Sequence, residues 1–410
     1  MSAQRIKGCR SCGSADLELF LQLGDLPLSD GFVGDAAAAT SAPRYPLDVA
    51  FCTRCALVQI LHTVPPEELF GADYPYFSSF TDALLRHSRA NVEARLAERR
   101  LGKDSLVVEL ASNDGYLLQY YRDAGIPVLG IDPAPGPVKA AREKGIDTIE
   151  AFFGLGIAKE LATVGRRADI IHGNNVLAHV ADTNGFVAGI ATLLKPDGLV
   201  VIEAPYVRDL IDHGEFDTIY HEHLCYFSAT AADALFRRHG LYLNRVERLS
   251  IHGGSLRYFA EPVEHVEESV RSLLAEEKAL GLDRPDYFRN FAKQVQEIRR
   301  ALGAMVADLA GQGKRIAGYG ASAKGTILLN FCDIGHDVLE WVADRNVHKQ
   351  GRWIPGVGLP IVDPARIERD HPDVLLITPW NFKEEIMSQQ AAHAARGGRF
   401  IVPIPTPVLI

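Results

Sequence analysis

Residues 105–118, SLVVELASNDGYLL, decide the expected fold. The apolar run Leu106–Leu110 is typical of a buried strand, and strong helix formers follow from Leu117. The loop Glu109–Gly115 joins them with small and polar residues that let a ligand approach the backbone. A strand, a tight loop and a helix in this order predict one corner of a parallel α/β sheet.

Strand and helix patterns go on alternating after this corner. The expected strands that follow are Val128–Ile131, Asp147–Glu150, Ala168–Ile171 and Leu199–Ile202. Tyr242–Val246 and Ser255–Phe259, separated by the bend His252-Gly253-Gly254, are expected to close the sheet as an antiparallel pair. This rhythm predicts a parallel sheet with helices on both faces.

A second α/β pattern begins at Arg315, after a helical region at 265–312 with an apolar stripe. Its expected strands are Arg315–Gly318, Leu339–Ala343, Val374–Ile377 and Arg399–Val402, with a helix at Ala323–Asn330. Because 410 residues exceed one ordinary core, we predict three domains, at 1–75, 76–264 and 265–410.

Composition narrows the possible partners. The net charge is −9 and no run of Lys and Arg occurs, which argues against a nucleic acid polymer as partner. The first residues lack the apolar segment of a secretory signal, and no stretch approaches the roughly 18 apolar residues of a membrane span. We therefore expect a cytoplasmic protein without a membrane partner, as a monomer or weak homo-oligomer.

Two CxxC pairs, Cys9-Arg-Ser-Cys12 and Cys52-Thr-Arg-Cys55, are separated by 39 residues. Each pair can place two thiolates on one cation at about 2.3 Å. Four unrelated buried cysteines are an alternative that the paired spacing disfavours, and redox chemistry needs only one such pair. We predict a structural Zn²⁺ site of four cysteines with no open position for water.

The loop Glu109–Gly115 resembles the cofactor loop of methyltransferases, usually an acid followed by alternating glycines. Ala111 and Asn113 occupy two of the glycine positions, and Gly115 remains. Asp132, at the end of the second strand, is placed to accept hydrogen bonds from ribose hydroxyls. Alone, the pattern fits an ordinary corner equally well. Its place in a βαβαβ run, with Asn174 and Asn175 after the fourth strand, favours S-adenosylmethionine (SAM), which carries no phosphate.

Tyr220-His221-Glu222-His223 is the most unusual polar cluster. Methylation of a carbon next to a ketone needs a general base and a group that holds the enolate oxygen, roles that histidine and tyrosine can fill. A packed cluster is the equal alternative, and a metal site is disfavoured because the spacing differs from HExxH. By their local sequence, His179 reads as a core histidine and Tyr74-Pro-Tyr76 as a packed linker.

In this order the motifs resemble the sugar C-methyltransferase family of deoxysugar biosynthesis, of the type that acts at C3 of dTDP-4-keto-deoxysugars. The resemblance covers essentially the whole chain. Its segments are the two CxxC pairs with LG (23–24) and PLSD (27–30) between them, YPYFSS (74–79), ELASNDG (109–115), GIDPA (130–134), NNVLAHV (174–180), YHEHLCYFS (220–228), HGGSLR (252–257) and GYGASAKG (318–325).

The resemblance implies a class I SAM-dependent methyltransferase sheet, an N-terminal zinc-binding module and a C-terminal Rossmann-like domain. It implies methylation of a nucleotide-linked 4-keto-deoxysugar at C3, with C5 as the alternative carbon. His223 is then the expected base, although Tyr220 is an alternative proton acceptor, and Glu222 would orient them. Tyr74 and His179 would line the same pocket. His221 departs from the family, which often has an acid there.

The same resemblance assigns the ligand-binding residues. SAM would be held by Ser79, Glu109, Ala111, Asn113, Asp114, Gly115, Asp132, Pro133, Asn174 and Asn175. The sugar nucleotide would be held by Tyr76, His252, Gly253, Tyr319, Ala321, Lys324 and Asn381.

Gly318-Tyr-Gly320-Ala-Ser-Ala323-Lys324, with Asp344 further on, also fits a dinucleotide fingerprint. An NAD-dependent oxidoreductase acting on a nucleotide sugar is therefore the second interpretation, and a non-catalytic, zinc-scaffolded binding protein is the third. In the resembled family this loop helps hold the diphosphate, and an acid such as Asp344 near a phosphate would be unfavourable unless it is structural.

Overall fold

The computed structural model describes residues 3–69 and 77–410. A seven-stranded sheet occupies the middle of the chain. Across it the strands lie in the order Thr148–Glu150, Val128–Asp132, Val107–Leu110, Ala168–Asn174, Leu194–Pro205, Ser255–Glu261 and Tyr242–Leu249. The first five are parallel, and Ser255–Glu261 is antiparallel to both of its neighbours. The predicted class I methyltransferase sheet, including its closing antiparallel pair, is confirmed.

The central strands are buried on both faces because helices cover them. All four residues of Val107–Leu110 are buried, including Glu109. Continuous apolar runs of this kind mark parallel strands at the centre of a sheet. The helices are Asp82–Glu98, Leu118–Asp123, Pro135–Glu143, Leu155–Thr163, Thr183–Leu193, Val207–Asp212 and Ala229–Arg238.

The N-terminal module is built on a small antiparallel sheet. Its strands are Leu17–Pro27, Arg44–Cys52, Val58–Ile60 and, from much later in the chain, Cys225–Tyr226. Smaller elements are the strand pair Gln4–Arg5 and His62–Thr63 and the helices Ala36–Thr40 and Pro66–Leu69. The strand at Cys225 was not predicted. It joins the module directly to the segment that contains the His-Glu-His cluster.

The C-terminal half contains a second seven-stranded sheet. Its strands lie in the order Trp353–Ile354, Leu359–Val362, Val342–Ala343, Ile316–Tyr319, Val374–Ile377, Arg399–Val402 and Val408–Leu409. Its helices are Glu268–Leu280, Pro285–Gly311, Ala323–Phe331, Ala365–Asp370, Lys383–Gln389 and Ala391–Ala395. The predicted apolar stripe of Pro285–Gly311 is buried, for example at Phe288 and Leu302.

Five short 3₁₀ turns place polar residues between these elements. They are Ser78–Phe80, Leu177–His179, Phe216–Thr218, Ile251–Gly253 and Trp380–Phe382. Among the helices in residues 3–69 and 77–410, none is both long and apolar enough to cross a bilayer.

Candidate active site

The four predicted zinc ligands meet at one point. The sulfur atoms of Cys9, Cys12, Cys52 and Cys55 all lie within 4.8 Å of one another. Cys9 Sγ is 3.6 Å from Cys55 Sγ, and Cys12 Sγ is 3.5 Å from Cys52 Sγ. Ligands at about 2.3 Å from a tetrahedral zinc ion stand about 3.8 Å apart. The arrangement therefore fits a closed, structural Zn²⁺ site.

The zinc module is fastened to the methyltransferase sheet through its first knuckle. The Arg10 carbonyl accepts hydrogen bonds from Thr183 Oγ1 at 2.8 Å and Asn184 Nδ2 at 2.7 Å. Arg238 Nη1 donates to the Ser11 carbonyl at 2.8 Å. Since these bonds leave from the residues between Cys9 and Cys12, the metal site also fixes the interface of the two domains.

The loop after the first strand has left-handed backbone at the positions that were aligned with glycines. Ala111, Asn113 and Gly115 have φ values of 54°, 49° and 75°. Left-handed backbone of this kind is uncommon for residues with a side chain. Two side-chain-bearing residues thus keep the conformation that glycine would adopt at those positions.

Asp132 ties this loop to the end of the second strand. Its Oδ2 accepts from Asn113 N at 2.9 Å, and its Oδ1 accepts from Ala134 N at 2.8 Å. Burial raises the pKa of the Asp132 carboxyl, and the two backbone hydrogen bonds oppose that shift. A carboxylate oxygen has two lone pairs, so each oxygen retains capacity for a ribose hydroxyl.

Buried acceptors at the same sheet edge fit a polar ligand. Within residues 3–69 and 77–410, Asp114 Oδ1, Asn174 Oδ1 and Asn175 Oδ1 are buried and have no hydrogen-bond partner. Unsatisfied buried acceptors cost free energy unless a ligand or water donates to them. The ammonium and hydroxyl donors of SAM would satisfy such acceptors.

Other predicted SAM residues border this group. Ser79 Oγ donates to Asp114 Oδ2, which also pairs with Lys144 Nζ at 3.0 Å. Glu109 is fully buried behind the loop, where burial raises the pKa of its carboxyl well above the ordinary value. Pro133 is half-buried beside Asp132. The structure thus brings the predicted SAM residues together at one sheet edge.

Three of the residues predicted for catalysis, Tyr220, His179 and His223, form an aromatic cluster around the His223 ring. Its ring centroid is 4.0 Å from that of Tyr220 and 4.8 Å from that of His179. His223 Nδ1 is 2.9 Å from the Thr218 carbonyl oxygen. Because a carbonyl can only accept, Nδ1 carries the proton and Nε2 of the neutral ring is the proton-accepting atom.

Backbone pairing fixes the position of this segment. Leu224 N donates to the Ala178 carbonyl at 2.7 Å, and Ile60 N donates to the Leu224 carbonyl at 3.0 Å. His223 therefore lies between the turn that carries His179 and the sheet of the zinc module. A small cavity lined by His223, Thr218 and Ala178, among others, opens beside it.

The neighbouring ionisable groups are tuned by burial. Burial lowers the pKa of His179 to about 4, so its ring is neutral at pH 7. Burial and the like charge of Asp30 raise the pKa of Glu222 to about 8. His221 Nε2 donates to the Tyr45 carbonyl at 3.1 Å, so this side chain faces the zinc module and not the cavity.

A cleft of about 630 Å³ lies between the methyltransferase half and the C-terminal half. Gly253 and Asn381, both predicted to bind substrate, line it together with Arg248, Lys383 and Glu215, among others. Lys324 Nζ lies 3.3 Å from Glu215 Oε2, at the same wall. Thr218 borders the small cavity and Glu215 the cleft, so the turn they flank lies between the two.

Other residues predicted for the active site are buried away from the cleft or lie outside the described residues. Tyr319 is buried in the core of the C-terminal half with Trp341 and Ile367, away from the cleft lining. Ala321 is fully buried. His252 lies in the turn Ile251–Gly253, but its side chain is not among those described. Tyr74 and Tyr76 lie outside the described residues.

The second glycine-rich loop is closed by its own domain. Asp344 Oδ2 accepts from Ala321 N at 2.7 Å, and Lys349 Nζ donates to the Ala321 carbonyl at 2.8 Å. A Cβ atom on Gly320 would lie 2.4 Å from the ring of Pro379. Asp344 therefore has the structural role that the sequence left open.

Sequence reasoning missed the residues that hold the His223 ring. Thr218 acts through its backbone carbonyl, which any residue would supply. Asp217 accepts from Trp380 Nε1 at 2.8 Å across the domain interface. The run Glu215–Thr218 before the His-Glu-His cluster was the available signal, since two acids beside a buried apolar residue need partners.

Comparison with known proteins assigns each part of the chain. Residues 9–70 match the family model described as "Putative zinc binding domain", residues 83–246 "Methyltransferase domain", and residues 250–405 "C-methyltransferase C-terminal domain". The C-methyltransferase NovU of Streptomyces niveus is 37% identical over 408 residues, which are 99% of this chain and 97% of the relative.

Other matches cover less than half of the chain. A ubiquinone biosynthesis O-methyltransferase of Azorhizobium caulinodans is 26% identical over 122 residues, covering 30% of this chain and 47% of that protein. The crystal structure of magnesium protoporphyrin IX methyltransferase (ChlM) from Synechocystis PCC 6803 with bound SAM covers 47% of this chain and 88% of that one. It has 16% identity and a TM-score of 0.34.

The near full-length match and the three family models agree with the sheet and the four-cysteine site. The chain is a SAM-dependent methyltransferase and belongs to the C-methyltransferase family.

Proposed function

We propose that this enzyme methylates a nucleotide-activated 4-keto-deoxysugar, with dTDP as the nucleotide and C3 as the methylated carbon. The observation that carries the proposal is the orientation of His223, whose Nδ1 proton is bound by the Thr218 carbonyl at 2.9 Å. A base with this fixed tautomer suits removal of a proton from carbon, which O- or N-methylation does not need.

His223 Nε2 accepts the proton from the carbon next to the ketone and leaves an enolate. The positive charge that develops on the ring is stabilised through the Nδ1–H bond to the Thr218 carbonyl. The Tyr220 ring centroid lies 4.0 Å from that of His223, and Tyr220 is the alternative proton acceptor.

The enolate oxygen needs a donor that is itself uncharged and fixed. His179 is neutral because burial lowers its pKa to about 4, and it lies against His223. Glu222 carries a proton at pH 7 because its pKa is about 8. A neutral imidazole or a protonated carboxyl can donate a hydrogen bond where oxyanion charge develops.

SAM, when bound, supplies a sulfonium methyl group whose carbon–sulfur bond breaks as the new carbon–carbon bond forms. We assign its ribose to Asp132 and its polar tail to Asp114, Asn174 and Asn175. The support is the set of buried acceptors at this edge and the two backbone bonds that hold Asp132 in place. Ser79 and Lys144 orient Asp114.

The nucleotide diphosphate is assigned to the cleft between the halves. The cleft offers the cations Arg248 and Lys383 beside the carboxylates Asp209 and Glu215. Asn381 and Gly253 also line it, near the turn that holds His223. Phosphate groups are recognised by such cations and by backbone N–H groups. The match to a sugar C-methyltransferase motif set over the whole chain supports the same substrate class. In this proposal the domains are 1–75, 76–264 and 265–410, and the enzyme acts as a monomer or weak homo-oligomer.

The test is a methyl-transfer assay with purified enzyme, methyl-labelled SAM and a dTDP-4-keto-6-deoxyhexose. We expect a sugar nucleotide with a carbon-bound methyl, located by NMR. His223→Ala should lower the rate by about 10²- to 10⁴-fold, the usual contribution of a general base, with SAM affinity unchanged. His265→Ala is the matched control, because His265 is a half-exposed surface residue paired with Glu261.

A C-methyl product that is absent in His223→Ala would support both the substrate class and the base. Transfer that continues in His223→Ala, or no C-methylated product from a panel of 4-keto sugar nucleotides, would contradict the proposal.

A further inference from the structure

We infer that Trp380 of the C-terminal half is a positioning residue for the base, because it holds the turn whose carbonyl fixes the His223 tautomer. The inference rests on the proposed role of His223. It gives the C-terminal half a part in the chemistry beside the holding of substrate.

Asp217 anchors the turn Phe216–Thr218 to the C-terminal half, and the turn ends one residue later, at Thr218. Three neighbouring residues each contact a different C-terminal side chain. Glu215 Oε2 lies 3.3 Å from Lys324 Nζ, the Phe216 ring centroid is 5.1 Å from that of Phe331, and Asp217 Oδ2 accepts from Trp380 Nε1 at 2.8 Å.

The next residue of the turn is Thr218, whose carbonyl accepts the Nδ1 proton of His223. The turn is closed internally by hydrogen bonds from Thr218 N to the Glu215 carbonyl at 3.1 Å and from Ile219 N to the Phe216 carbonyl at 3.0 Å. A displacement of Asp217 would therefore move the Thr218 carbonyl with it. Because a 3₁₀ turn this short has few bonds of its own, its position depends on the groups outside it.

Asp217 depends on Trp380 more than on any other donor. Its side chain is fully buried, and within the described part of the chain its Oδ1 has no hydrogen-bond partner. Burial raises the pKa of this carboxyl to about 6, and the nearby charge of Lys324 and the bond from Trp380 oppose the shift. Loss of the indole N–H would leave a buried carboxyl without its side-chain donor, which costs free energy.

The geometry also ties this bond to the substrate cleft. Trp380 lines the cleft with Asn381, and Lys324 Nζ lies 5.2 Å from the centre of the Trp380 ring. The residue that holds the turn thus also faces the space assigned to the nucleotide.

The test compares Trp380→Phe with Asp217→Asn. Phenylalanine keeps an aromatic ring and removes the N–H donor. Asparagine keeps an amide oxygen that can still accept from Trp380. Trp341→Phe is the control, because Trp341 is fully buried in the same half and its Nε1 has no partner among the described residues.

We expect Trp380→Phe to lower kcat about 10- to 100-fold, the equivalent of one hydrogen bond to a charged group, with KM and SAM affinity nearly unchanged. Asp217→Asn and Trp341→Phe should remain within about threefold of the wild type. The ¹⁵N shifts of the His223 ring, measured by NMR on the intact protein, should show the Nε2–H tautomer gaining population only in Trp380→Phe.

Unchanged kcat in Trp380→Phe would overturn the inference, as would an equal loss in Trp341→Phe or in Asp217→Asn. The His223→Ala assay separates this failure from that of the proposed function. If His223→Ala abolishes transfer and Trp380→Phe does not, the base assignment stands and the positioning role falls.

Discussion

The two α/β halves build the same corner with different consequences. In each half, an aspartate at the end of the second strand accepts two backbone hydrogen bonds. One comes from the loop after the first strand, and the other comes from the residue two positions after the aspartate. Asp132 accepts from Asn113 and Ala134, and Asp344 accepts from Ala321 and Asn346. The acid is therefore part of the architecture of both corners, and its presence alone does not identify a cofactor site.

The surroundings of the two corners differ. Around the first, Asp114, Asn174 and Asn175 keep buried acceptors without partners among the described residues. Around the second, Pro379 covers Gly320, and Thr378 Oγ1 and Lys349 Nζ donate to the loop carbonyls. In the described C-terminal half the one buried side-chain atom without a hydrogen-bond partner is Trp341 Nε1, which is a donor and not an acceptor. Unpaired buried acceptors, more than glycines, separate a ligand site from a structural corner.

Loss of zinc should produce the largest effect, and it should fall on the methyltransferase half. A structural zinc site can contribute on the order of 10 kcal/mol, and the sheet of the zinc module includes Cys225–Tyr226, next to His223. We expect Cys9→Ser to lower the melting temperature strongly in calorimetry and to abolish methyl transfer. Cys332→Ser, a buried cysteine outside the cluster, is the control. Equal melting of the two variants would show that the module does not support this half.

Lowering the pH should also destabilise the methyltransferase half before the C-terminal half. Burial lowers the pKa of His172 to about 3 and those of His179 and His221 to about 4, below about 6.5 in an unfolded chain. Between these values the unfolded state binds more protons, so this contribution is full above pH 6.5 and is lost as the pH falls toward 4. The whole shift corresponds to at most roughly 3 kcal/mol for His179 or His221 and roughly 5 kcal/mol for His172.

The C-terminal half has one buried histidine, His393, by comparison. Hydrogen exchange between pH 7 and pH 4.5 should therefore show protection lost in Val107–Leu110 and Ala168–Asn174 before it is lost in Val374–Ile377. Simultaneous loss, or earlier loss in the C-terminal sheet, would show that the buried histidines do not set the order.

The sequence predicted the elements that carry their own pattern. Both sheets could be expected because strands such as Val107–Leu110 and Val374–Ile377 are continuous apolar runs followed by helices. The zinc site could be expected because CxxC spacing is itself a geometric constraint. Ala111 and Asn113 could be aligned with glycine positions, but their left-handed φ values needed the structure.

Other parts of the site depend on contacts that local sequence does not encode. The strand Cys225–Tyr226 has two residues, and it exists because Val58–Ile60 offers an unpaired edge from a distant part of the chain. The Thr218 carbonyl is a backbone group, and the bond from Trp380 to Asp217 crosses two domains. Tyr319 lies within a fingerprint motif, yet its position in the strand directs it into the core.

The most direct test of the central claim is calorimetric titration of SAM into the wild type, Asp132→Asn and Asp344→Asn. In Asp132→Asn an amide N–H would face Asn113 N, so the loop tie and a ribose acceptor are both weakened. We predict that the Kd for SAM rises about 10-fold or more in Asp132→Asn, the equivalent of one charged hydrogen bond, and stays within about twofold in Asp344→Asn. Weakened SAM binding in Asp344→Asn with unchanged binding in Asp132→Asn would contradict the assignment of the cofactor to the first half.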